Sequence, residues 1–221
     1  MQRQNQALAI AALATVLATG AYAQDTSTKG RPAKGKPAAV SNADMKHLIE
    51  DSFSSRGPVT VEGVLNQDGM QQACSQYPDR TKVPEKLARK IEAAELKQVK
   101  YPADSNWLGD WKEGEKIAQN GRGMQFTDQV GGTNGGNCYA CHQMTKAEIS
   151  FGNIGPSLYQ YGKLRGNSQE VIKYTWGKIW DSSAYAACSN MPRFGHKGIL
   201  TEAQIRDVMA LLLDPASPVN Q

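Results

Sequence analysis

The chain has 221 residues, with 25 Lys and Arg against 21 Asp and Glu, a formal charge of +4, and 40 % hydrophobic residues. That near-balance gives no case for nucleic-acid binding, so any electrostatic docking must come from local patches. Four cysteines, an even number, suit an oxidising compartment.

Residues 1–23 read as a secretory signal peptide: Arg3 lies near the start, an apolar, small-residue run follows from Ala7 to Leu17, and Ala21-Tyr22-Ala23 has the pattern of a cleavage site. The run suits a signal and is too short to span a bilayer. No later segment is apolar enough to do so, and the expected location is the periplasm, with cleavage after Ala23. Residues 24–40 are Lys, Gly, Pro, Thr and Ala with almost nothing to bury, the composition of a flexible leader.

Residues 41–104 form an N-terminal extension. Ser41 to Asp44 offers helix caps before Met45, Leu48, Ile49 and Phe53, a spacing that predicts a short amphipathic helix ending at Arg56-Gly57-Pro58. Val59 to Leu65 is rich in β-branched residues and reads as a short edge strand or extended piece. From Pro84 to Val99 helix formers dominate, Pro84 suits the first helical position, and Leu87, Ile91 and Ala94 share one face. Lys86, Arg89 and Lys90 on that segment read as a solvated face.

Tyr101 to Asn106 marks a boundary, and residues 105–221 have the length of a single-core domain. Asn106 to Asn120 carries a helical stripe of Trp107, Leu108, Trp111, Ile117 and Ala118. Gly121 to Asn137 is a Gly-rich loop. A second helix should begin at Asn167 or Ser168 and run through Val171, Ile172, Thr175, Trp176 and Ile179. A third is announced by the capping box Thr201-x-x-Gln204, with Leu200 as a staple on Ile205 and a buried face of Ile205, Val208, Met209 and Leu212. The fold class is therefore all-α, with little extended structure.

Cys138-Tyr139-Ala140-Cys141-His142 is the sequence on which the rest depends. C-x-x-C-H is the attachment pattern of a c-type haem. Two thiols on one turn can add to the two vinyl groups of one porphyrin, and the following imidazole can bind the iron axially. A thioredoxin-like pair lacks its βαβ context here, and a zinc site borrowing Cys188 and His196 lacks a second close ligand pair. One covalent haem c is thus expected, held by Cys138, Cys141 and His142. A carbonyl in Gly152 to Leu158 could accept from the second nitrogen of His142 and fix its orientation.

For the other axial position, Met191 stands in the best context, Asn190-Met191-Pro192-Arg193-Phe194-Gly195, where Pro192 and Gly195 shape a loop before the last helix. Met144 is too near His142, Met209 belongs to a core stripe, Met124 lies in a loop, and His196 is the His/His alternative. His/Met ligation raises the potential and favours accepting electrons. Leu158, Tyr159, Tyr161, Trp176 and Trp180 are candidate pocket walls or ordinary core.

CxxCH, then Gly-Pro-x-Leu, then Met-Pro-x-Phe-Gly before Leu-Thr-Glu-x-Gln-Ile resembles the class I cytochrome c pattern across residues 105–213. The wording GNCYACHQM, FGNIGPSL and NMPRFGHKGILTEAQIRDVMALLLDPASPVN is similar to the SoxX family, the small cytochrome subunits of the SoxAX complexes of bacterial thiosulfate oxidation. The resemblance implies a heterodimer with a SoxA-type cytochrome that carries the catalytic cysteine. Together they would act as an L-cysteine S-thiosulfotransferase, joining thiosulfate to a SoxYZ-type carrier protein, while this chain takes the electrons and passes them to a downstream acceptor. It implies Cys138 and Cys141 as thioether positions, His142 as proximal and Met191 as distal ligand. It is weakest over residues 24–104. The leftover cysteines of an exported protein usually pair, so Cys74 and Cys188 are expected to form a disulfide that ties the extension to the ligand loop. A free-standing electron carrier and a haem enzyme with a labile distal site are the competing readings.

Overall fold

The last helix collects the core. In this computed structural model, which describes residues 40–221, residues Glu202–Leu213 (α8 below) bury Ile205, Val208, Met209 and Ala210 to Leu213. Its start is fixed as the sequence announces: the Thr201 hydroxyl accepts from the Gln204 amide, and the Gln204 side chain accepts from the Thr201 N–H. Each large apolar side chain buried on this face contributes about 1.5–3 kcal/mol.

The helices in chain order are α1 (Asn42–Ser52), α2 (Val61–Leu65), α3 (Gly69–Ser75), α4 (Glu85–Leu96), α5 (Trp111–Gln119), α6 (Tyr161–Arg165), α7 (Gln169–Trp180) and α8. Among the described residues there is no strand, only an isolated bridge between Arg56 and Val59. Residues Ser41–Gln221 form one compact unit, so the extension packs with the cytochrome-like part. The signal and leader expectations for residues 1–39 lie outside the described residues.

α5 crosses α8 at close range because Gly114 has no side chain: a Cβ there would lie 2.1 Å from the Asp207 carbonyl oxygen. Ahead of it, the Asp207 side chain accepts from the Asp110 N–H at 2.9 Å, and the Arg206 carbonyl accepts from Gly109 at 2.9 Å. The helix starts at Trp111, later than the stripe suggests, because the Asp110 carboxylate caps it and the preceding backbone is spent on α8. Trp107 is left outside the helix, its ring set edge-on to Trp176 at 5.7 Å. Trp176, fully buried in α7, donates its indole N–H to the Lys100 carbonyl at 2.8 Å. Ser168 caps α7.

The extension departs from its sequence reading in four places. Val59 to Leu65 is not an edge strand: Thr60 accepts from the Gly63 N–H and starts α2, since no neighbouring strand offers a ladder to satisfy β-branched propensity. α1 forms with a Ser41–Asp44 capping box, but Met45, Leu48 and Phe53 on its stripe remain exposed. Pro84 stands just before α4, not at its first position, and the helix stops at Leu96. α3, not anticipated, is closed by a capping box between Asp68 and Gln71. α3 and α4 reach the rest of the unit through a small apolar cluster of Cys74, Ile91 and Cys188, ringed by Met70, Leu87 and Ala187.

Candidate haem and ligand-loop site

The CxxCH stretch hangs from the C-terminus of α5. Gly136 donates to the Ile117 carbonyl at 2.8 Å and Asn137 to the Asn120 carbonyl at 3.0 Å, satisfying oxygens that the helix end leaves open. The approach demands glycine at 135, where a Cβ would sit 1.9 Å from the Asn120 oxygen. Asn137 takes a left-handed conformation, which asparagine tolerates, and turns the chain into the short 3-10 segment Cys138–Ala140. The His142 N–H then donates back to Cys138 at 2.9 Å, so thiols and imidazole emerge from one closed turn.

Tyr139, between the cysteines, is buried and donates to the Glu115 carboxylate of α5 at 2.9 and 3.1 Å. Burial first, then the Glu115 carboxylate, push its phenol well above the usual value, so it stays a neutral donor.

The His142 ring is oriented by the segment that follows. Gly152 donates to the Tyr139 carbonyl, Gly155 to Cys141 and Leu158 to Gln143, at 2.9, 2.9 and 2.8 Å, laying residues 152–158 along the motif. Pro156 thereby presents its carbonyl oxygen 2.7 Å from His142 Nδ1. With Nδ1–H donating there, Nε2 keeps its lone pair for a metal. The ring lies flat against Gly155, where any Cβ would come within 2.2 Å of Cε1.

The Met191 loop is held from both sides. The Ser182 hydroxyl donates to the Met191 carbonyl at 2.5 Å, and Met191 N–H donates to the Ser189 hydroxyl at 3.2 Å. Gly195 and His196 both donate to the Trp180 carbonyl at 3.0 Å, and Gly195 lies so close to the indole that a Cβ would be 2.4 Å from it. Met191 is half-buried and packs on the same apolar core as Cys138. Of its rivals, Met144 and Met209 are fully enclosed in that core, and Met124 is half exposed. His196 Nδ1 lies 3.2 Å from the Asp181 carboxylate.

These residues fit a covalently bound haem. Cys138 and Cys141 carry no disulfide, although the other two cysteines pair. Trp180 Nε1 is a buried donor with no protein acceptor, suited to a propionate oxygen. Cys138, Cys141 and His142 would hold the group, and Met191 would face the iron. Among the proposed walls, Leu158, Tyr161 and Trp180 line the core edge. Trp176 is core. Tyr159 instead donates to the carbonyl of Gln221 at 2.8 Å, and so ties down the C-terminus.

The extension grips this loop. Cys74 and Cys188 form a disulfide, with Cα atoms 5.5 Å apart across a sequence separation of 114. Arg193, 6 % exposed, pairs with Asp68 and with Glu95 at 3.3 Å, and Lys197 pairs with Asp68 at 2.8 Å. Burial raises the Asp68 carboxyl, but hydrogen bonds from Lys197, Arg193 and the Gln71 amide outweigh it and hold the group well below the usual carboxylate range. Glu95 and Asp181 are pushed up, each by burial first; the neighbouring Asp181 raises Glu95 further, while the hydrogen bond with Glu95 acts against the rise at Asp181. Burial, with Arg193 nearby, lowers His196. This buried ionic cluster was not foreseen. Its one sequence signal is the Asp68-x-x-Gln71 capping box, which marks a helix and says nothing of a partner 125 residues away.

A family model described as cytochrome c matches residues 112–214. An uncharacterized lipoprotein of Aquifex aeolicus (strain VF5) is 36 % identical over 191 residues, covering 86 % of this chain and 88 % of that protein. Its likeness is longer than the family match and so takes in much of the extension as well. With the haem motif, the His142 bond to Pro156 and the helical core in place, the family match shows that the chain carries a cytochrome c domain over residues 112–214.

Proposed function

We propose that this chain is a monohaem electron-accepting cytochrome of the periplasm, serving as the small subunit of a SoxAX-type thiosulfate-oxidising complex. The observation that carries the relay reading is the Met191 loop. Hydrogen bonds on both sides of Met191, the Cys188 disulfide and the buried Arg193 pairs leave little freedom for the loop to swing away and open an iron coordination site. A haem closed on both faces exchanges electrons and does not bind substrate.

Bound haem c supplies a one-electron couple at its iron. The chain's residues do the rest. Cys138 and Cys141 would fix the group covalently, and His142 would be the proximal ligand with its basicity set by Pro156. Met191 would be the distal ligand, favouring the reduced state. Bond-making chemistry at thiosulfate would fall to a partner cytochrome, with a carrier protein as acceptor and a downstream protein taking the electrons. The wording of the two haem-side loops supports this assignment, and the description of the Aquifex relative as a lipoprotein agrees with a place in the cell envelope.

Purifying the native protein tests it. The expected result is co-isolation with a second cytochrome and reduction of this haem by thiosulfate only when the carrier protein is present. A chain that stays monomeric in its native extract and is reduced without any such partner is a free-standing carrier instead.

A further inference from the structure

Glu95 on α4, Asp181 at the end of α7 and His196 beyond the Met191 loop bring three metal-ligating side chains together, one ligand atom of each within 4.8 Å of the others. None belongs to the haem motif. Asp181 is fully buried, and while Oδ1 accepts from the Ser183 N–H at 2.9 Å, Oδ2 has no hydrogen-bond partner. An orphaned carboxylate oxygen at zero exposure calls for a ligand. His196 Nδ1 is 3.2 Å off but lacks hydrogen-bond geometry, and the Glu95 carboxyl lies beside it.

That separation has a second meaning. Two donors on a tetrahedral zinc with bonds of about 2.1 Å stand about 3.4 Å apart, both aimed at the ion and not at each other. Imidazole and carboxylates together suit zinc better than calcium or magnesium. Around the trio, three carboxylates (Asp68, Glu95 and Asp181) outnumber two cations, Arg193 and Lys197, so negative charge is in surplus.

We propose that Glu95, Asp181 and His196 form a binding site for one divalent zinc ion, separate from the haem iron, that clamps the extension to the segments flanking Met191. Glu95 comes from the extension and the other two from either side of the ligand loop, so the ion would bridge parts of the chain that only the disulfide joins covalently. This inference stands apart from the thiosulfate reading.

The haem-loaded full chain, stripped with chelator and then titrated with zinc chloride, should take up one zinc per haem. Zinc-edge X-ray absorption should show one imidazole and otherwise oxygen. Glu95→Gln keeps shape and most hydrogen bonding, and should weaken zinc binding at least about tenfold, the smallest loss that removal of even an outer partner causes. His196→Gln should do the same, while His47→Ala, on exposed α1, should leave binding unchanged. No stoichiometric zinc, sulfur in the zinc shell, or unaltered affinity in both cluster variants would overturn the proposal.

Discussion

His142 Nδ1 lies 2.7 Å from the carbonyl oxygen of Pro156, while Gly155, the residue before that proline, has its backbone pressed against the imidazole ring. One turn therefore sets both the tautomer of His142 and its rotation. Gly155→Ala places a methyl 2.2 Å from Cε1, so the ring or the turn must move. The expected cost is about 1–3 kcal/mol of stability, as for other overpacked sites, with a weakened iron–histidine bond. Thermal melting and the absorption spectrum of the holoprotein check it; a wild-type spectrum and melting point would refute the packing argument.

Met191→Ala should abolish the charge-transfer band of a thioether-ligated ferric haem and lower the reduction potential, since the thioether favours the reduced iron. Met144→Leu and Met209→Leu should leave both unchanged, because those side chains are enclosed in the core. Potentiometric titration with optical detection reads all three, and a Met191→Ala protein with an intact band would remove Met191 from the iron.

Replacing Cys74 and Cys188 together by serine reopens a loop of more than a hundred residues. Loss of such a crosslink costs about 2–5 kcal/mol. Urea unfolding of the holoprotein should show that loss, and reductant should destabilise the wild type but not the double variant. Equal stability of the two proteins would mean the ionic contacts suffice to hold the extension.

Asp68 predicts an acid limit. Its carboxyl is held well below the ordinary value near 4 by Lys197 and Arg193. The folded state thus binds fewer protons there than the unfolded chain does. The stabilisation is complete above about pH 4 and is lost as pH falls from there toward the depressed folded value. Glu95 and Asp181, shifted the other way, act in the opposite sense at higher pH, where they gain stability as pH falls. Asp68→Asn should melt lower than wild type at pH 7 and show a shallower decline below pH 4. Parallel melting curves across that range would exclude Asp68 as the source of acid sensitivity.

What could be read in the sequence was local. The CxxCH spacing and the Thr201 capping box involve residues within about one turn of each other, where chemistry constrains spacing, and the carbonyl that meets His142 comes only fourteen residues later. The Cys74–Cys188 pair was reachable by counting thiols. The Val59 to Leu65 segment misled because β-branched content predicts a strand only where another strand is at hand, and Thr60 caps a helix instead. The stripe of α1 foretold a helix correctly but not its exposure, which depends on what the fold brings to that face. The group of Asp68, Glu95, Asp181 and Arg193 left no sequence trace beyond the Asp68 capping box, since ion pairs spanning some hundred residues leave no periodicity.

The Cys74–Cys188 bond also gives the polypeptide a closed circuit, and the whole haem motif lies within it. The open stretch around Met124, Phe126 and Val130, exposed and outside any helix, offers proteases a place to cut. A single cut there would release nothing: both pieces would stay joined through sulfur, and the porphyrin would remain on the C-terminal one. A nicked molecule would run as one species without reductant and as two with it, keeping its colour and its ligand loop throughout.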